Sequence, residues 1–303
     1  MSGGYYVPAT SKWPVLGSLA LGTVAIGTGM TMVHGSGAPL LLAGIAAMFL
    51  IMGLWFRDVI LESRSGLYDA QMDRSFRWGM GWFIFSEVMF FAAFFGALFY
   101  VRVFAVPWLG GDGAKGVSGM LWPEFTAHWP LITPPDSAVS GPGQVFSPWQ
   151  LPLVNTLILV SSSLTLTVAH EALKEGKRRV CRNWLAGTVL LGLCFITIQA
   201  VEYYEAYAHY GITLEAGIYG ATFFILTGFH GVHVIIGTII LFVILMRIMS
   251  HHFTPEEHFG FEAAAWYWHF VDVVWVGRFL FVYVFGGACG FIGGACGAIR
   301  RAE

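Results

Sequence analysis

The chain alternates long apolar runs with short polar joins. Seven runs are long enough to cross a bilayer as helices: residues 14–33, 38–56, 78–104, 150–170, 184–207, 217–246 and 262–286. About 20 apolar residues, rising 1.5 Å each, suffice for the hydrocarbon core. The first two runs are joined by His34-Gly35-Ser36-Gly37, with Pro39 just beyond, which predicts a helical hairpin. The polar stretch 57–77, RDVILESRSGLYDAQMDRSFR, is amphipathic enough to lie on the membrane surface. Residues 105–149 form the one long loop. It is rich in Gly and Pro yet carries Trp108, Trp122, Trp129 and Trp149. That much aromatic surface wants burial, so the loop is expected to be an ordered cap over the bundle or against a partner subunit. The predicted class is all-α: a polytopic membrane protein with seven transmembrane helices.

Composition agrees with this pattern. The 303 residues are 56% hydrophobic and 16% aromatic, and only 11% are charged, against about 25% in soluble domains. The net charge of −2 implies no general attraction to nucleic acid. Cys181, Cys194, Cys289 and Cys296 form no CxxC pair, so no zinc motif is suggested. The first residues, MSGGYYVPATSKWP, lack the basic-then-apolar order of a cleavable signal peptide.

Basic residues test the number of spans. With seven, one side receives Lys12, Arg57, Arg64, Arg74, Arg77, Lys174, Lys177, Arg178, Arg179, Arg182 and Arg247. The other receives Arg102, Lys115, Arg300 and Arg301, and Arg278 falls inside the last span. The positive-inside rule makes the first side cytoplasmic, with the N-terminus inside and the C-terminus outside.

Glu87 is the one acid in the aromatic run WGMGWFIFSEVMFFAAFFGALFYVRVF (78–104). It lies roughly 13–14 Å into that run as a helix, near mid-membrane. An ionised carboxylate is costly there, so Glu87 is expected to be neutral or to share its proton with a partner. Two roles stand open: a packing hydrogen bond to a neighbouring helix, or a group tied to proton movement. His230 and His233, at i and i+3 in the sixth run, share a helix face. They are either half of a haem or copper site or inter-helix hydrogen-bond groups. Further ligands are scarce, with His170, His209 and His269 scattered over other spans. Glu202 and Glu205 end the fifth run, where inter-helix bonding is the expected role. Asp272 lies deep in the seventh run and needs a partner, which His269 at i−3 can supply. Trp55, Arg57, Arg77, Arg247, His251 and His252 sit at cytoplasmic span ends. They read either as an aromatic belt with positive-inside bias or as a phospholipid headgroup site. No P-loop, GxSxG or zincin motif is present, and no catalytic constellation stands by itself.

Several stretches together resemble a known family: WFRDVILES (55–63), RWGMGWFIFSEVMFF (77–91), LPLVNTLILVSSS (151–163), GIYGATFFILTGFHGVHVIIGT (217–238) and, most specific, HFGFEAAAWYWHFVDVVW (258–275). From about Lys12 to Phe285 the chain resembles subunit III of the haem–copper cytochrome c oxidases, bacterial aa3 type. The resemblance implies seven helices as a two-helix hairpin splayed from a five-helix bundle, with phospholipid in the cleft. That divides the chain into a hairpin (1–56), a cytoplasmic connection (57–77), a bundle (78–286) and a Gly-rich tail (287–303). It also implies that this chain binds no haem or copper and has no catalytic residues. Haem A and copper would reside in partner subunits I and II, and cytochrome c would reach the complex through subunit II. The chain would stabilise a proton-pumping respiratory oxidase in a bacterial inner membrane and support proton uptake by subunit I. The family's intramembrane glutamate falls on Glu87, and its lipid-contacting positions fall on Trp55, Arg57, Glu62, Arg247, His252 and Phe253. Two features depart from the family: Arg278 replaces an apolar residue, and the tail extends beyond 285. Arg278 is expected to snorkel outward or to pair with an acid on another subunit. Cys289 and Cys296 could pair if the tail faces the periplasm. Rival readings are the same subunit of a quinol oxidase, a stand-alone proton-coupled transporter using Glu87 and Asp272, and a haem protein using His230 and His233.

Overall fold

The computed structural model describes residues 10–113, 115–136 and 138–286. The tail with Cys289 and Cys296 lies outside them. Among the described residues all regular structure is helical. The long helices are α1 (Trp13–His34), α2 (Ala38–Arg64), α3 (Ala70–Tyr100), α4 (Leu151–Lys174), α5 (Arg178–Ala208), α6 (Gly217–Met249) and α7 (Phe259–Arg278). Six of them, α1 to α6, are long and apolar enough to cross a membrane, α3 being prolonged to Leu109. Helix α7 is less apolar because its 20 residues include Glu262, Asp272 and Arg278. The chain divides into two compact units, Met1–Gly79 and Met80–Glu303.

In the first unit, α1 and α2 form the hairpin that the Gly-rich joint predicts. Pro14 and Pro39 fall in the first turns of their helices, where no amide donor is needed. Gly35 ends α1 at φ 70° and donates its N–H to the Thr31 carbonyl at 3.1 Å. The two helices then touch backbone to backbone. A Cβ on Gly27 would lie 2.4 Å from the Leu41 nitrogen, and one on Gly44 would lie 2.8 Å from that of Val24. Lipid supplies no hydrophobic drive for helix association, so close approach through small residues carries the contact. Trp13 Nε1 donates to Asp58 Oδ2 at 3.2 Å and ties the open ends of the hairpin. The stretch 57–77 is not a separate surface helix. Helix α2 continues through Arg64 and α3 begins at Ala70, with Asp69 Oδ1 accepting the Met72 N–H at 2.8 Å.

In the second unit the core gathers around α7. Its Trp268 and Trp275 are fully buried. The Trp268 indole passes between Gly192 of α5 and Gly237 of α6; a Cβ there would meet its ring at 3.0 and 2.8 Å. Its Nε1 donates to Ser162 Oγ of α4 at 2.9 Å. Two turns on, Trp275 Nε1 donates to Thr156 Oγ1 of α4 at 2.9 Å, and its ring meets the Phe195 edge at 4.5 Å. Both indoles thus bury large apolar area while satisfying their N–H groups on one helix. The charged and polar residues of α7 suit this position, because Asp272 and Arg278 are buried among side chains of the bundle. The expected cap is formed only in part: Trp129 and Phe146 are buried, against Tyr219 (5.7 Å) and Phe223 (5.9 Å), Trp108 and Trp122 are half-buried, and Trp149 is 61% exposed.

Candidate functional site

Glu87 and His233 meet between α3 and α6. His233 Nε2 lies 3.0 Å from Glu87 Oε2, with only 13% and 21% of the two side chains exposed. His233 Nδ1 lies 2.7 Å from the Phe229 carbonyl one turn back. A carbonyl can only accept, so Nδ1 carries a hydrogen and donates it. The contact between Nε2 and Oε2 therefore needs one further hydrogen. It comes either from a protonated Glu87 or from a doubly protonated ring. The two side chains thus share one hydrogen. Phe90 and Phe91 close over the imidazole at 6.1 and 5.0 Å, and Tyr267 stacks on it at 6.3 Å.

His230 does not join His233. It is 1% exposed, and its Nε2 lies 3.2 Å from the Val271 carbonyl of α7. Although i and i+3 share a face, the two rings turn to different helices. His269 and Asp272 are 4.0 Å apart at Nδ1 and Oδ2, longer than a hydrogen bond. The His269 ring instead meets Ser163 Oγ of α4 at 2.5 Å, so the expected i−3 pairing is replaced by an inter-helix one.

Arg278 corrects its expectation of snorkelling outward. It is fully buried and faces Glu202 of α5, also fully buried, with Nη2 and Oε1 3.8 Å apart. Tyr283 stands between them: Arg278 Nη2 donates to the Tyr283 hydroxyl, which donates to Glu202 Oε1. Gln199 Oε1 accepts from Nη1 at 3.3 Å, and the guanidinium lies 4.2 Å over the Trp275 ring. Sequence spacing missed Tyr283 because it stands at i+5. The chain after α7 is a π-helix, Phe279–Val284, whose wider turn brings i and i+5 together.

The six lipid-type positions lie in two places. Trp55 and Arg57 are exposed on α2, and Glu62 accepts the Tyr68 hydroxyl at 2.8 Å. Arg247 ends α6 with its guanidinium 4.1 Å over Phe253, whose ring is buried beneath it; His252 lies in the turn between them.

Fold and site define a multi-pass helical membrane protein whose spans carry hydrogen-bonded acids and histidines. The family profile described as cytochrome c oxidase subunit III matches residues 4–121 and 122–287. The cytochrome c oxidase subunit 3 of Latimeria chalumnae is 42% identical over 93% of this chain and 97% of its own length. Those of Cyprinus carpio and Bos taurus are 41% and 40% identical over the same shares. The chain belongs to the cytochrome c oxidase subunit III family, and membership places it in an oxidase complex with other subunits.

Proposed function

We propose that the chain is the non-redox subunit of a proton-translocating cytochrome c oxidase and supports proton uptake through the Glu87–His233 pair. One observation carries this: a carboxyl group and an imidazole within the spans, 3.0 Å apart and sharing one hydrogen. Such a pair can accept a proton on one partner and release it from the other with little rearrangement. The reading further assigns haem A and copper to subunits I and II, with cytochrome c docking on subunit II. Trp55, Arg57, Glu62, Arg247, His252 and Phe253 are assigned to bound phospholipid. The division into hairpin (1–56), connection (57–77), five-helix bundle (78–286) and tail (287–303) belongs to the same reading. So does a bacterial inner membrane with the N-terminus cytoplasmic, which the basic-residue asymmetry supports. His230, Glu202, His269 and Asp272 serve as inter-helix polar contacts. Isolation of the chain in mild detergent, with an optical spectrum and mass spectrometry of what accompanies it, tests the assignment. Haem A absorption, two larger subunits and retained phospholipid are expected. A lone colourless chain would contradict it.

A further inference from the structure

Where the end of α4 faces the start of α7, three metal-ligating side chains converge. His170, His258 and Glu262 each place one ligand atom within 4.8 Å of the other two. The rings of His170 and His258 are 5.3 Å apart, and His170 is held by stacking on Phe261 at 5.2 Å. His170 Nε2 and both ring nitrogens of His258 are buried without a hydrogen-bond partner. Buried imidazole nitrogens are normally satisfied, and each such exception calls for a cause. The His258–Glu262 contact is too long to supply one, at 3.6 Å from Nε2 to Oε1.

We propose that His170, His258 and Glu262 bind one divalent transition-metal ion of the zinc class. Two imidazoles and a carboxylate are a common three-ligand set for zinc, leaving a fourth position to water. Tetrahedral bonds of about 2.0–2.1 Å put ligand atoms roughly 3.4 Å apart, so side-chain rotations of about an ångström close the site. The His258–Glu262 separation is already near that value. Surrounding charge permits a cation. Lys174 is held by Glu171 at 2.6 Å, Arg178 donates to the Phe253 carbonyl at 2.8 Å, and Arg247, whose guanidinium comes close to Gly260, lies 4.1 Å over the Phe253 ring, so each of these three cations has a partner of its own. The carbonyl end of α4 favours a cation, while the N-terminus of α7 opposes one and Glu262 offsets it. The ion would join α4 to α7 at the end of the bundle that basic residues mark as cytoplasmic. Sequence spacing hides the site, because His170 lies on one helix and His258 and Glu262 at the start of another.

The test uses the purified complex that carries this chain. It is washed with chelator, dialysed against Zn²⁺, and its zinc counted by mass spectrometry. Wild type is compared with His170→Asn, His258→Asn and Glu262→Gln. Each variant is expected to hold one zinc fewer per complex. The difference in zinc X-ray absorption should show two imidazole nitrogens and a carboxylate oxygen. Unchanged zinc in the assembled variants would overturn the proposal. Glu262→Gln keeps the side-chain shape and carries the test alone if a histidine variant does not assemble.

Discussion

His233 holds Glu87 with one ring nitrogen while the other is committed to its own helix, at 3.0 and 2.7 Å. A glutamine amide can donate to Nε2 as a protonated acid does. Glu87→Gln is therefore expected to assemble normally, with stability changed by less than about 1 kcal/mol. Glu87→Leu leaves Nε2 without its partner and should cost about 1–3 kcal/mol. Thermal denaturation of the complex separates the two, and equal losses would refute the hydrogen bond.

Arg278 and Glu202 are both fully buried and depend on each other. Arg278→Met alone strands a buried carboxylate, and about 3–5 kcal/mol of stability should be lost. Adding Glu202→Gln should recover most of it. A double-mutant cycle that shows simple additivity would count against the pairing.

Trp268 fills the space that Gly192 and Gly237 leave. A Cβ on Gly237 would lie 2.8 Å from its ring. Gly237→Ala should overpack the core by about 1–3 kcal/mol. Trp268→Phe in the same background should relieve part of that, and denaturation midpoints would show whether it does.

Arg247 lies over Phe253 at the end of α6. If it carries a lipid phosphate, Arg247→Ala should lower the phospholipid that stays with the purified complex. Lipid mass spectrometry measures this, and unchanged content would remove Arg247 from the headgroup assignment.

Seven helices were legible because apolar runs and turn residues coincide with them. The hairpin was written in Gly35, Gly37 and Pro39. Partners were harder to read. An i, i+3 spacing placed His230 and His233 on one face, yet the rings turn apart because each finds an acceptor or acid on a different helix. The same rule paired His269 with Asp272, whereas Ser163 of α4 reaches the ring first. Arg278 looked like an outward-reaching charge because its partners, Glu202 and Tyr283, come from another helix and from a π-turn. Neither inter-helix geometry nor a change of helix pitch is encoded in local spacing.

Proton uptake during turnover tests the central claim most directly. It would be followed in the assembled oxidase with Glu87→Gln, His233→Asn and the double variant. The account predicts slowed uptake in each single variant and no further slowing in the double, because the two residues hold one proton as a unit. Wild-type uptake in all three assembled complexes would contradict it.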